Sequence, residues 1–315
     1  MEYRRLGQTD LELSGLGLDL WETSSKWAQR NDRDYTITLL QKAFELGVTF
    51  YGAADTHGQR LGEEIVAKAL KGLRHQVVIG TQFVCPVSDL ESEQNLGNFR
   101  NWSPDAVRYS CEQSLLQMAT DYVDLYQLYD PAMTTLMEDD LFGTLEDLIR
   151  EGKIRYWGVV MGRGVESYDQ AEYCMQYRRP SSMEIEYSIL QKEQGRSIFP
   201  MAKDQLVGLL ARFPDDSVAL ADDGSDGDVI SMADPRGEAQ AKLSELNGPK
   251  ERLAVHLRDF YQLTISEANV LFALDQLMIT TVLPEIGTLE ALQQYTHAVD
   301  RKILDREDLK YLTTF

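Results

Sequence analysis

Of the four histidines in the chain, His57 has the surroundings that most invite chemistry. It sits in a loop between a strand-like run and a helical one, and an imidazole titrates near neutrality without help from a neighbour. A general acid or base of this kind needs hydrogen-bond donors for the oxygen on which charge develops. Tyr129 and Gln82, each at the end of an apolar run, carry an O–H and an N–H suited to that task. Glu184 or Asp55 would serve as the carboxylate partner. This set suits proton transfer without a cofactor, such as isomerisation, dehydration or cyclisation. The opposing reading has His57 pointing to water and Tyr129 merely filling space.

Other chemistries find less support. His75, His256 and His297 lack the i, i+4 partner that would suggest a metal, and no GxSxG elbow supports a hydrolase. Cys85, Cys111 and Cys174 form no CxxC and stand among apolar residues, which reads as buried thiols in a reducing compartment. The stretch Pro214–Gly237 is rich in Asp, Gly and Ser. A calcium loop there would need an acidic or amide residue at Gly224 and a Glu at Ala233, so it reads as a long solvated loop within one domain spanning 1–315.

The 315 residues carry 31 Lys plus Arg against 51 Asp plus Glu, a formal charge of -20. That balance disfavours nucleic acid and anionic membranes as partners, since both need clustered cations. With 43 % hydrophobic residues the chain can bury a large core. No apolar run reaches the ~18 residues of a membrane span, and the N-terminus lacks a leader pattern. The expectation is a cytoplasmic protein with a small-molecule ligand, a protein partner being the other option.

The elements that would position these residues alternate. Strand-like runs at Leu16–Leu18, Val48–Tyr51, Gln76–Thr81, Val123–Leu128, Ile154–Val160, Met183–Ile185, Val207–Leu210 and Thr281–Leu283 make eight. Helical patterns cover 34–46, 62–70, 103–118, 139–150, 165–177, 251–262, 266–277 and 289–298, with Ser103-Pro104 as a helix start. Eight strands joined by helical crossovers, with no Gly-rich turn after the first, predict an α/β fold: a (β/α)8 TIM barrel. A hairpin around Leu6–Leu11 would precede it and an extra C-terminal helix follow it. Strand ends in such a barrel share one mouth. Asp19, Trp21, Gly52, Asp55, Trp102, Met161, Glu184 and Tyr187 would therefore line a pocket with His57, Gln82 and Tyr129.

Longer strings carry a resemblance. Gly47-Val48-Thr49-Phe50-Tyr51, Ala54-Asp55-Thr56, Leu61-Gly62-Glu63-Glu64-Ile65-Val66, Thr120–Leu128 and Arg150–Val159 resemble signatures of the aldo-keto reductases. Tyr3–Gly7 and the Leu283-Pro284 region also align, so the likeness covers essentially the whole chain. It implies the same barrel and an NADPH-dependent carbonyl reduction that uses Asp, Tyr, Lys and His at the mouth. The matching positions here are Gly52, His57, Gln82 and Tyr129. The family's nicotinamide contacts fall on Val160, Met161 and Glu184, with its stacking tyrosine kept as Tyr187. Its phosphate-binding loop falls on Glu285 and Gly287, and its adenine contact on Tyr295.

All four reacting positions differ from the family's, and Glu285 adds a carboxylate where a phosphate would dock. The resulting expectation is a barrel that has lost the reductase machinery, binds no cofactor and takes a small organic ligand through His57 and Tyr129. A non-catalytic interaction protein is the first alternative and a retuned NAD(P)H-dependent oxidoreductase the second.

Overall fold

Residues 1–20, 33–54, 61–83, 102–162, 166–212, 236–301 and 303–315 are described by a computed structural model, with only the backbone of 166 and 236–247. Trp21, Asp55, His57, Cys85 and residues 214–235 of the acidic loop lie outside them.

The chain opens with an antiparallel hairpin of β1 (Tyr3–Arg5) and β2 (Glu12–Ser14). Gly7 in its turn has φ +50°, and a Cβ there would lie 2.5 Å from the Leu206 carbonyl oxygen, so only glycine fits. Eight parallel strands follow: β3 (Leu18–Asp19), β4 (Phe50–Ala54), β5 (Val78–Phe83), β6 (Val123–Tyr129), β7 (Ile154–Val160), β8 (Ser182–Glu186), β9 (Gly208–Arg212) and β10 (Ile279–Leu283). Each pairs with its neighbours in sequence order. The ring closes beside β3, where Gly17 N donates to Val282 O at 2.9 Å and Val282 N to Gly15 O at 2.8 Å.

Helices α1 (Arg33–Glu45), α2 (Leu61–Ala69), α3 (Pro104–Met118), α4 (Met133–Leu136), α5 (Asp139–Arg150), α6 (Glu166–Tyr173), α7 (Glu193–Gln205), α8 (Arg236–Tyr261), α9 (Ile265–Asp275), α10 (Leu289–Arg301) and α11 (Arg306–Leu312) accompany the strands. Among them no helix is long and apolar enough to cross a membrane. The start of α3 is the one its residues predict: the Ser103 hydroxyl accepts from Ala106 N, with Pro104 in the first turn. Helix α5 shows how the outer layer is held. Leu141, Phe142, Leu145 and Leu148 recur at three- and four-residue spacing and all are buried.

Besides the single-turn α4, two longer helices depart from the sequence expectation. Helix α7 is not anticipated, because Gly195 and Pro200 inside it are poor helix formers. Packing decides in its favour: a Cβ on Gly195 would lie 2.5 Å from the Tyr187 ring, so glycine lets the helix close onto the strand layer. Helix α8 begins fifteen residues before the expected 251 and runs through Pro249. Downstream, fully buried Leu253 and Leu257 anchor it to the core, which offsets the one backbone donor that proline removes.

Alternation along the strands sorts the side chains. Leu6, Leu11 and Leu13 of the hairpin pack with Phe50, Val78, Leu125, Leu210 and Leu283 as an apolar plug. Polar groups near the hairpin fasten it. Asp124, almost wholly buried, accepts from Ile79 N at 2.9 Å and Arg155 Nη1 at 2.7 Å, with Arg74 Nη1 at 2.8 Å. Arg155 also reaches Asp10 on the hairpin, at 2.8 Å. Hydrogen bonding from Tyr156 and the charge of Arg155 hold the Asp10 carboxyl below its usual range.

Candidate functional site at the strand ends

Beyond the apolar plug the inner face turns polar. On β6, Leu125, Gln127 and Tyr129 alternate on one face, and the register sets Gln82 beside Gln127 and Val160 beside Tyr129. Glu184 of β8 pairs with Val160, and Glu186 with Arg212 of β9. Asp19 of β3 pairs with Gly52 of β4. These residues therefore share the C-terminal rim of the strands, where a parallel barrel assembles its site.

Two hydrogen-bonded groups make up the described rim. In the first, Arg212 Nη1 meets Glu184 Oε1 at 3.5 Å, and its Nη2 lies 3.6 Å from Glu186 Oε1 and donates to Met161 O at 2.8 Å. Gln127 Nε2 donates to Glu184 Oε2 at 3.4 Å. Glu184 is 1 % exposed; burial pushes its carboxyl up, against the opposing pull of Arg212 and Gln127.

The second group lies across the opening. Gln82 Nε2 donates to Asp19 Oδ2 at 3.0 Å. The space that a side chain at position 52 would enter is taken by Asp19: a Cβ on Gly52 would lie 2.8 Å from both Asp19 Cγ and Oδ1. Gln82 is 2 % exposed, and its Oε1 has no partner among the described residues. Asp130, just past Tyr129, has φ +46°, and its carboxylate rests directly on Gly162, an approach any Cβ would block.

Several expected pocket residues are placed elsewhere. Trp102 meets Phe83 edge-on, at 5.2 Å between centroids, inside the apolar layer between strands and helices. Tyr187 stacks on Phe272 at 5.5 Å and meets Phe199 at 5.0 Å in the same layer, where burial pushes its phenol up to about 12. The Met161 and Tyr295 side chains also belong to that layer. Val160 is fully buried on the inner face. Glu285 is half-buried before α10, and Gly287 has open space around it.

Gln127, which lies within the Thr120–Leu128 motif, and Asp130, Glu186 and Arg212 are not among the site residues expected from the sequence. Gln127 had a usable signal, since it lies two residues before Tyr129 and must share its face. Arg212 had none, because it falls two residues beyond the run that reads as its strand. The motif residues Glu63 and Asp124 prove to be framework: Glu63 is fully buried and accepts from Thr81 Oγ1 at 2.7 Å.

The model of the aldo/keto reductase family matches residues 15–315. The chain belongs to the aldo/keto reductase family. Aldo-keto reductase YhdN of Bacillus subtilis (strain 168) is 27 % identical over 324 aligned positions, covering all of this chain and 93 % of its own. Among solved structures, aldo-keto reductase AKR11C1 from Bacillus halodurans in its holo form superposes with a TM-score of 0.74 at 24 % identity, over 100 % of this chain and 96 % of that one. An aldo-keto reductase from Klebsiella pneumoniae in complex with NADPH gives a TM-score of 0.70 at 20 % identity, over 99 % and 94 %.

Two expectations are thereby corrected. The lost reductase machinery, with cofactor-independent chemistry through His57 and Tyr129 in its place, does not stand. The family match covers residues 15–315, and YhdN matches over 93 % of its own length. The expected absence of a cofactor does not stand either: the family's model matches residues 15–315, and aldo-keto reductases of the same fold from Klebsiella pneumoniae were solved with NADP and with NADPH. The physical reason is that comparison position by position asks only what each strand carries at its own residue. A carboxylate is absent at Gly52, yet Asp19 of the adjacent strand brings one into the same space. At position 184 a carboxylate oxygen accepts hydrogen bonds as an amide oxygen would.

Proposed function

We propose that the protein is an aldo/keto reductase that moves hydride between a nicotinamide nucleotide and a carbonyl compound at the strand-end rim. The family match over residues 15–315 carries this reading, and the polar rim supports it.

A nicotinamide carboxamide offers two N–H donors and one carbonyl acceptor. The residues present fit that group. Gln82 Oε1 is a buried acceptor without a described partner, and the Glu184 carboxylate is an acceptor fixed by Arg212 and Gln127. When bound, the nucleotide supplies the hydride. The protein's own part is to bind, orient and protonate. Glu184, held from two sides, takes a carboxamide N–H without having to reorganise. Tyr129, on the inner face of β6, holds a phenolic proton for the oxygen of the carbonyl. Buried Val160 beside it keeps water from that edge.

Titration with NADPH and with NADH, followed by tryptophan fluorescence, tests the reading. Saturable quenching below millimolar concentration by at least one nucleotide is expected. No saturable signal from either at several millimolar would remove the proposal.

A further inference from the structure

The pairing of Asp19 with Gln82 does more than fill the gap at Gly52. A carboxylate has no donor, so only the amide nitrogen of Gln82 can face Asp19 Oδ2 at 3.0 Å. That settles which end of the amide points where, a choice otherwise open between nitrogen and oxygen. Gln82 Oε1 is consequently turned away from Asp19. It is buried, and no described residue donates to it. Buried acceptors in folded proteins nearly always have a donor, so one left open at a rim of functional side chains calls for a ligand. Gln82 shares the inner face with Gln127, which is itself bonded to Glu184, so the open acceptor belongs to the same rim.

We propose that Asp19 is a positioning residue that fixes the Gln82 amide, and that Gln82 Oε1 is a binding acceptor for an O–H or N–H donor on the bound molecule. The donor has two possible sources, a hydroxyl beside the substrate's carbonyl or the carboxamide of the nucleotide. The substrate source makes hydroxy-substituted carbonyl compounds the favoured class over simple ketones. Only the naming of those sources rests on the reductase reading; the placement of the acceptor does not.

The test uses side-chain amide NMR on 15N-labelled protein, with the Gln82 NH2 signals assigned by their loss in Gln82→Met. Hydroxyacetone, acetone, NADPH and NADH are titrated separately. A shift of the Gln82 amide signals with hydroxyacetone but not acetone assigns the donor to the substrate. A shift with a nucleotide assigns it to the carboxamide. In either case Gln82→Met should weaken that ligand roughly tenfold, about 1.4 kcal/mol. Asp19→Ala should collapse the separation of the two amide protons and weaken the same ligand. Asp19→Ala with Gly52→Asp returns a carboxylate from the next strand and should recover part of both effects. That recovery separates positioning from a general loss of structure.

If Gln82→Met binds every probe as wild type does, the acceptor serves only water and the proposal is overturned. An Asp19→Ala variant with unchanged Gln82 signals overturns the positioning role. If neither nucleotide binds while hydroxyacetone still depends on Gln82, the reductase reading fails and the acceptor stands.

Discussion

Gly52→Asp asks directly whether Asp19 occupies the place of a side chain at position 52. The new Cβ would sit 2.8 Å from Asp19 Cγ, so the two carboxylates could separate to only about 4 Å. At an effective dielectric near 20, two unit charges at that distance repel by roughly 4 kcal/mol. Protonating one carboxyl instead costs about 4 kcal/mol at pH 7, from an ordinary value near 3.9. Both routes therefore cap the penalty at a similar level. Asp19 is half-buried, so solvent screening lowers it, while the displaced Asp19–Gln82 hydrogen bond returns about 1 kcal/mol of cost. The expected loss is about 3 kcal/mol at pH 7, falling toward 1 at pH 4 where one proton is easily taken up. Urea unfolding of wild type, Gly52→Asp, Asp19→Ala and the double variant at both pH values measures it. In the Asp19→Ala background the second substitution should cost less than about 1 kcal/mol, because the repulsion has no partner. A Gly52→Asp protein as stable as wild type at pH 7 would refute the placement.

Three further outcomes follow from the rim and the core. Asp124→Ala strands an amide N–H and two guanidinium groups, so a loss of about 3 kcal/mol in urea unfolding is expected, and Asp124→Asn should lose less. Wild-type stability for either variant would mean these contacts contribute nothing. Because burial raises the Glu184 carboxyl above its ordinary 4.5, the folded protein holds that proton more tightly than the unfolded chain. Its stabilising contribution is full below 4.5 and fades as pH rises through the raised value. Glu184→Gln should therefore gain stability relative to wild type between pH 4 and pH 7, and a pH-independent difference would contradict this. Burial pushes the Cys111 and Cys174 thiols up to about 12, so neither should be alkylated by iodoacetamide in native protein at pH 8. Mass spectrometry after labelling checks it, and rapid modification of either would show that the layer opens.

Much of the architecture was readable because its causes are local and repeated. Eight apolar runs spaced by amphipathic segments admit few arrangements, and parallel crossovers follow from the length of the connections. The hairpin and the Ser103 cap have short-range signals of the same kind. Helix α7 lacked one, since Gly195 serves a contact with Tyr187 that no neighbouring residue announces. The rim was harder. Gln82, Tyr129 and Glu184 stand at strand ends and at family motif positions, which makes them legible as rim residues, whereas Arg212, the cation that organises the Glu184 group, has neither signal. Type and position suggest a pocket place for Trp102 and Tyr187, but Trp102 packs on Phe83 and Tyr187 on Phe272 in the apolar layer instead.

By itself the sequence determined that this is an acidic barrel of the aldo/keto reductase kind, because periodicity and motif strings survive without knowledge of contacts. It also determined which residue types stand at the reacting positions. Only the tertiary structure decided what those types amount to. Position 52 carries no carboxylate of its own, but the register of two parallel strands sets Asp19 beside it, 33 residues away in the chain. Side chains on adjacent strands share one space, and a linear reading assigns that space to one residue only.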